Sequence, residues 1–556
     1  MKFVFQSFRS KQLMLLLCFF LTFQTFSQTV TPWMTSSDKS RLLTQQTTTN
    51  FATNTGTANI TVTLKPTATY QTMDGFGFAL TEGSAEVISS LTSVQQNNLL
   101  TELFDKTNGL GISVLRISIG ASDLSSSDYS YDEVSGDTGL TSFSMAGPDL
   151  TYLVPILKKI LKINPDVKIL ATPWTAPRWM KTNKAWIGGK LSSTYYETYS
   201  KYFVAYLNAM KNQGINLWAI TVQNEPENGT AEPSMLMTYA EQISFINNNL
   251  GPELAGSGFS AVKIIAYDHN CGNTTYPIAV CNNSSYVDGA AFHLYSGDIS
   301  ALTTVKNATG KNVYFTEQYT ASTGSFSGDF AWHFQNVLFG ASLNWAKVIL
   351  EWNLANNSSI GPHTPGGCNT CQGAVTVNNS TSYNYNLSYY LIGQFSKFVK
   401  PDAIRIGTTT AGTNVLSTAF QNTDGTIVTL VYNTKSSSQT IKIVSGTQSF
   451  IYTLPAATVA SFVWQTDPNG LTQLTNSDLF LYPNPAKNII KIKNNISGKT
   501  VKSIAFITMT GKIVLQKLIN GTAPETTIKI SNLPAGVYIA KIICESSSLY
   551  QCVIKQ

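Results

Sequence analysis

Two glutamates stand where chemistry is possible. Glu225 follows the apolar run LWAITVQN (217–224) in the stretch NEPEN, and Glu317 lies near the end of NVYFTEQ (312–318). An acid at the point where a strand leaves the core is held by an ion pair, caps a helix, or acts as a reagent. For either glutamate alone the structural and chemical accounts are evenly matched. As a pair they meet the needs of glycosidic cleavage, in which one carboxyl group protonates the leaving oxygen while the other, ionised, attacks or supports the sugar cation. That division requires surroundings that push the two proton affinities apart.

The neighbours of the pair fit the same chemistry. Asn224 offers a short amide for a sugar hydroxyl, and Trp174, Trp352 and Tyr295 end three other strand-like runs, where an aromatic face can pack on a sugar ring. Each ring taken singly is equally well explained as core filling. Asp123, in IGASDLS, is placed to touch a hydroxyl, and His293, two residues before Tyr295, to point inward and orient a catalytic group or bond substrate. Glu351 precedes Trp352 by one residue, so strand alternation turns it to the opposite face. Glu82 reads as the cap of a helix over 83–91. No HExxH, P-loop, GxSxG or dinucleotide fingerprint occurs in a fitting context. The histidines at 269, 293, 333 and 363 are too scattered to argue for a metal, so no metal or cofactor is called for.

Such residues need a frame. Eight β-rich runs, at 71–80, 113–119, 167–174, 217–224, 262–268, 288–295, 312–318 and 347–353, alternate with helix-like segments such as 148–163 and 194–212. This is the pattern of a (β/α)8 barrel, whose strand ends surround one mouth regardless of sequence distance. A doubly wound open sheet is the alternative, but no glycine-rich turn follows the first strand. The segments 28–66 and 401–466 alternate with a period of two and are expected to pack into one β-sandwich built from both flanks of a barrel over 67–400. A polar linker over 467–477 and a small all-β domain over 478–556 complete the chain.

With 556 residues, 43% hydrophobic and 11% aromatic, several cores are expected. Lys2, Arg9 and Lys11 precede an apolar block from Leu13 to Phe23, which reads as a signal peptide over 1–27. No other run approaches the roughly 20 apolar residues a membrane helix needs, so no integral membrane segment is expected in the mature chain. The formal charge of +6 is concentrated in the signal and in residues 467–556, which leaves a weakly acidic body and no case for a nucleic-acid partner. Beyond Cys18 the cysteines fall into sequence-local pairs, Cys271 with Cys281, Cys368 with Cys371, and Cys544 with Cys552, candidate disulfides in an exported chain. A metal knuckle at Cys368 and Cys371 is the other reading, although a single CxxC is weak evidence for zinc.

MDGFGFALTEGSA, TPWTAPRWMKTN, TVQNEPEN, FHLYSG, YFTEQ, LEWNLANN and LIGQFSKFVKP, in this order over about 66–466, resemble glycoside hydrolase family 30, which includes glucosylceramidases and β-1,6-glucanases. The resemblance implies a barrel with an attached sandwich and hydrolysis with retention of configuration. It also implies Glu225 as acid/base, Glu317 as nucleophile, and Asp123, Trp174, Asn224, His293, Tyr295 and Trp352 around the sugar. Retention calls for carboxyl groups about 5 to 5.5 Å apart. Where the glucosylceramidase pattern has FGGA and TD, this chain has Phe78 and Thr81-Glu82, which argues against carrying over the lipid substrate. The insertion SIGPHTPGGCNTCQGAVTVNN is similar to glucanase-like members, so a β-1,6-glucan is the expected substrate. Glucosylceramidase or β-glucosidase is the alternative within the class, and a non-catalytic carbohydrate-binding protein outside it. The YPNPA turn and GVYIAKI strand resemble a type IX secretion sorting domain, which implies passage through the periplasm, contact with that secretion machinery, and a secreted or cell-surface protein.

Overall fold

Eight parallel strands close on themselves into a barrel: β1 Gly75–Ala79, β2 Val114–Ile119, β3 Lys168–Pro173, β4 Ala219–Thr221, β5 Lys263–Cys271, β6 Val287–Gly297, β7 Asn312–Glu317 and β8 Ala346–Asn353. All eight fall on the runs read from the sequence. They read as nearly continuous apolar runs because helices cover the outside and side chains fill the inside. Val114, Leu170, Ala219, Ile265, Ala291, Tyr314, Val348 and Leu350 form that inner packing. Close approach of β1 to β2 explains Gly77, where any Cβ would strike the Val114 carbonyl oxygen at 1.9 Å.

This computed structural model describes residues 28–53, 55–145, 147–465, 479–494, 500–508, 512–544 and 548–556. The expected signal peptide over 1–27 and linker over 467–477 lie outside the described residues.

Helix starts differ from the sequence reading. The helix after β1 spans Glu82–Ser89, and its N-cap is Thr81, whose Oγ1 accepts the Ser84 N–H at 3.0 Å. Glu82 is therefore not the cap. It lies buried in the first turn and accepts the Ser126 N–H at 3.0 Å, and burial pushes its carboxyl up to about 7. The 148–163 segment opens with a wide turn at Asp149–Leu153 before the regular helix Val154–Ile163. Tyr196–Asn212 buries Tyr199, Tyr202, Phe203, Tyr206 and Met210 on one face, the stripe expected from their spacing.

The flanks of the barrel combine into the β-sandwich. Thr29–Ser36 pairs antiparallel with Thr458–Gln465, and Ile60–Thr72 pairs antiparallel with Ile404–Ala411 and parallel with Gln439–Ser445. Val30, Met34, Val62, Ile441, Phe450 and Phe462 belong to its core. Gln394, fully buried on the helix Leu387–Ser396, ties barrel to sandwich. It accepts from Thr35 Oγ1 at 2.7 Å and donates to the Trp33 carbonyl at 2.9 Å and Ser461 Oγ at 2.7 Å.

Residues from 465 onward form a separate unit. It holds one three-stranded and one four-stranded antiparallel sheet around Leu481, Ile490, Ile504, Phe506, Ala540 and Val553. The Cys544–Cys552 pairing does not survive its register. Gly536–Cys544 pairs with Ser548–Lys555 so that Cys552 faces Ile539, five residues along the strand from Cys544. At about 3.4 Å per residue this separation exceeds the roughly 7 Å a disulfide can bridge. Among the described residues no helix is long and apolar enough to cross a membrane.

Candidate active site

Arg116 organises the mouth of the barrel. It projects inward from β2 with no exposed surface, and a charge in that position must be paired. Its guanidinium donates to Glu317 Oε2, to Asn224 Oδ1 at 2.7 Å and to Asp268 Oδ2 at 2.8 Å. Asp268 also accepts from Thr221 Oγ1 at 2.8 Å and Thr316 Oγ1 at 2.7 Å, and its Oδ1 lies 3.2 Å from His293 Nε2. Burial alone would raise the Asp268 carboxyl, but Arg116 and His293 outweigh it and hold the group well below the usual carboxylate range.

Neither Arg116 nor Asp268 was singled out by sequence. The lone charge in SVLRISI was the available signal for Arg116, since an arginine on an apolar strand implies buried acids nearby. Asp268 was harder to find, because a bulge places it. On β5, Tyr267 pairs with Ala291 and His269 with the next residue, Phe292, leaving Asp268 over. Tyr267 and Asp268 both have positive φ, 71° and 64°.

The structure brings Glu225, Glu317 and His293 together, with one acceptor atom from each lying within 4.8 Å of the others. His293 Nδ1 is 3.0 Å from Glu225 Oε1 and 3.6 Å from Glu317 Oε1. Tyr295 is 40% exposed and donates its hydroxyl to Glu317 Oε1 at 3.0 Å, while Asn228 Nδ2 donates to Glu225 Oε2 at 2.9 Å. Glu225 takes φ 44°, and its N–H donates to the Asp268 carbonyl at 3.0 Å. Left-handed conformations cost a non-glycine residue about 1 to 3 kcal/mol, so the surrounding contacts hold this glutamate against its own backbone preference.

His293 and Glu225 shift each other's proton affinity. Burial lowers the proton affinity of His293, but Glu317, Asp268 and Glu225 reverse this and push the imidazole up to about 10. Burial likewise raises Glu225, yet the rings of His269 and His293 outweigh it and draw the carboxyl below its ordinary value. These directions favour a charged His293 hydrogen-bonded to an ionised Glu225. The imidazolium donates from Nδ1 to Glu225 and from Nε2 to Asp268, so both ring nitrogens are engaged. A histidine with a raised folded value stabilises fully below its unfolded value of about 6.5 and loses that contribution as pH rises through about 10. Thermal melts of wild type and His293→Gln across this interval should show the wild-type advantage shrinking as pH rises. A constant difference would contradict the imidazolium.

Trp174 and Trp352 are buried, with ring centroids 5.2 Å apart and planes at 27°. The Arg116 guanidinium sits 4.8 Å from the first centroid and 5.4 Å from the second. They form a floor beneath the carboxylates. Asp123 is part-buried beyond β2, and burial together with the charges of Glu317 and Glu225 pushes its carboxyl up to about 7. Its carbonyl oxygen accepts the Thr364 N–H at 3.0 Å, and a Cβ on Gly367 would meet that oxygen at 2.1 Å. The insertion thus closes tightly over Asp123, and Cys368 and Cys371 within it form a disulfide. Cys271 and Cys281 do not pair. Both are buried thiols, on β5 and on the helix Thr275–Asn283, and burial pushes each up to about 12. Glu351 faces away from the mouth, with Oε1 2.8 Å from His333 Nδ1.

Three stretches of the chain match known domain families. Residues 73–399 match the Glycosyl hydrolase family 30 TIM-barrel domain, residues 402–462 the Glycosyl hydrolase family 30 beta sandwich domain, and residues 480–556 a Secretion system C-terminal sorting domain. An endo-1,6-β-D-glucanase of Aspergillus fumigatus is 36% identical over 394 residues, covering 66% of this chain and 79% of the relative. Putative glucosylceramidase 4 of Caenorhabditis elegans is 30% identical, covering 68% and 78%. Among solved structures, the endo-β1,6-glucanase BT3312 superposes with a TM-score of 0.74 at 35% identity, covering 79% of this chain and all of that one.

Proposed function

The chain belongs to glycosyl hydrolase family 30, and we propose that within it the protein is an exported β-1,6-glucanase that retains anomeric configuration. It is a glycosyl hydrolase and carries a type IX sorting domain. The observation that carries the mechanistic reading is the closeness of Glu225 and Glu317, with an acceptor atom of each inside 4.8 Å. Inverting enzymes hold their carboxyl groups about 6.5 to 9.5 Å apart to admit a water between them, whereas retaining ones need about 5 to 5.5 Å. The linkage reading rests on the 1,6-glucanases of similar sequence and structure.

In this proposal Glu317 attacks the anomeric carbon, oriented by Arg116 and Tyr295, and Glu225 protonates the departing oxygen. The proton comes from the Glu225–His293 hydrogen bond. When sugar replaces water in the site, burial of Glu225 deepens and moves the proton from Nδ1 to the carboxyl. Glu225 then deprotonates the water that releases the sugar. Asn224, whose carbonyl is engaged by Arg116, turns its amide nitrogen to a sugar hydroxyl, Asp123 takes another, and Trp174 and Trp352 support the ring. No metal or cofactor enters.

Incubation with a linear β-1,6-glucan, laminarin and glucosylceramide should release reducing sugar chiefly from the first, with the β-anomer appearing before mutarotation by proton NMR. An initial α-anomer would refute retention. Binding to the panel without any product would favour a carbohydrate-binding protein. Glu225→Gln should slow cleavage of glucan by roughly 10²- to 10⁴-fold, the worth of general acid–base catalysis, while sparing bond cleavage in aryl glucosides whose phenols leave unaided. Burst kinetics on both substrates check this, and an equal loss on both would remove Glu225 from the acid role.

A further inference from the structure

Beyond Glu317 the chain enters a two-stranded ribbon, with Thr320 paired to Gln372 and Ala321 to Cys371. The ribbon partitions two spaces. Tyr319 and Cys371 pack with Trp174 and Trp352 on the side of the catalytic carboxylates. Thr320 and Gln372 line a different cavity of about 250 Å³, walled on its other sides by Phe326, Tyr385, Tyr390 and Asp329. The sandwich contributes Lys39, whose Nζ lies 4.8 Å from the Phe326 ring centroid.

We propose that this second cavity holds a glucosyl unit of the polysaccharide, on the non-reducing side of the bond being cleaved. The proposal rests on the glucan reading above. Three observations support it. First, the lining combines aromatic rings with hydroxyl, amide and carboxylate groups, the mixture that a pyranose needs for its apolar faces and its equatorial hydroxyls. One lysine and one aspartate leave it without a strong charge of either sign, which suits a neutral sugar. Second, Thr320 is only 1% exposed and its Oγ1 has no hydrogen-bond partner among the described residues. A buried hydroxyl left unpaired is costly, and a sugar hydroxyl in the cavity would relieve it. Third, Thr320 and Ala321 of the cavity wall follow closely on β7, whereas Glu225 follows β4, three strands away around the barrel. The leaving part of the substrate departs on the Glu225 side, so the part retained on Glu317 extends toward the ribbon. A glucan chain that crosses this partition meets the cavity next.

The full-length protein carrying Tyr390→Ala or, as a near-isosteric alternative that spares the packing, Thr320→Val tests the idea. KM for linear β-1,6-glucan should rise roughly tenfold on loss of the aromatic contact, and several-fold on loss of the hydroxyl, with kcat/KM for 4-nitrophenyl β-glucoside unchanged. Calorimetric titration of Glu317→Gln with short and long gluco-oligosaccharides of β-1,6 and β-1,3 linkage gives a second reading. Affinity should increase with length, and Tyr390→Ala in the same background should abolish the increase. Equal losses on polymer and aryl glucoside, unchanged kinetics in both variants, or no length dependence with either linkage would overturn the cavity as a sugar site. Failure of the wild type to cleave β-1,6-glucan, with length-dependent binding intact, would overturn the linkage alone.

Discussion

Glu317→Gln is expected to lose turnover by about 10⁴-fold or more while still binding substrate, because removal of a nucleophile leaves only positioning and electrostatics to act. The substitution is nearly isosteric but keeps one of the two acceptor oxygens, of which Oε1 takes the Tyr295 hydroxyl at 3.0 Å and Oε2 the Arg116 guanidinium in the wild type. What changes is the charge beside Arg116. Folding should survive, since the amide oxygen can turn to accept from the guanidinium while the Tyr295 hydroxyl rotates to accept from the amide nitrogen, so the loss would be in kcat, with the oligosaccharide Kd altered little. Single-turnover kinetics with an aryl glucoside measure this directly. Ordinary turnover in the variant would remove Glu317 from the reaction.

Arg116→Met should be the most destabilising single change in the barrel. Its guanidinium is wholly buried and meets Glu317, Asn224 and Asp268 at once. Removing one partner of a buried ion pair typically costs about 3 to 5 kcal/mol, because the remaining charge stays buried without compensation. Two carboxylates would be stranded here, and the one on Asp268 would move up toward the ordinary range on losing its main positive neighbour. We expect a lower thermal midpoint, and a fall in kcat/KM of more than about 100-fold at temperatures where the variant is folded, since Glu317 loses its orientation. Arg116→Lys should rescue little, because one ammonium cannot reproduce a planar fork directed at three acceptors. Rescue to full stability by lysine would mean that charge alone, and not the fork, organises the mouth.

The contrast between these two residues marks how far the sequence could be read. Glu317 was legible because a parallel strand buried on both faces is an apolar run, and a polar residue at its end is conspicuous. The same rule located all eight strands, and with them Glu225, Asn224, Trp174, His293, Tyr295 and Trp352 at one mouth. Arg116 sits inside such a run, where periodicity alone treats a lone charge as a blemish. Only the demand that a buried charge be paired would have promoted it. Asp268 depends on a bulge that shifts β5 by one residue against β6, and a pattern with a strict period of two cannot foresee that. The electrostatic balance at Glu225 and His293 was illegible for a related reason. It is set by the sum of three carboxylates, two histidine rings and one guanidinium, half of which were not recognised as neighbours. The cysteines failed differently, because closeness in sequence carries no information about Cβ vectors. Of the three local pairs only Cys368–Cys371 turned back on itself.

Antiparallel pairing of Thr29–Ser36 with Thr458–Gln465 has a kinetic consequence. The first strand of the hydrolase emerges from synthesis more than four hundred residues before its neighbour, and closing so long a loop is slow. Until then the edge strand is unsatisfied and the barrel lacks its buttress. The catalytic region therefore completes its assembly only as translation nears the sorting domain, so polypeptides released prematurely would expose an adhesive edge while lacking that C-terminal sorting domain.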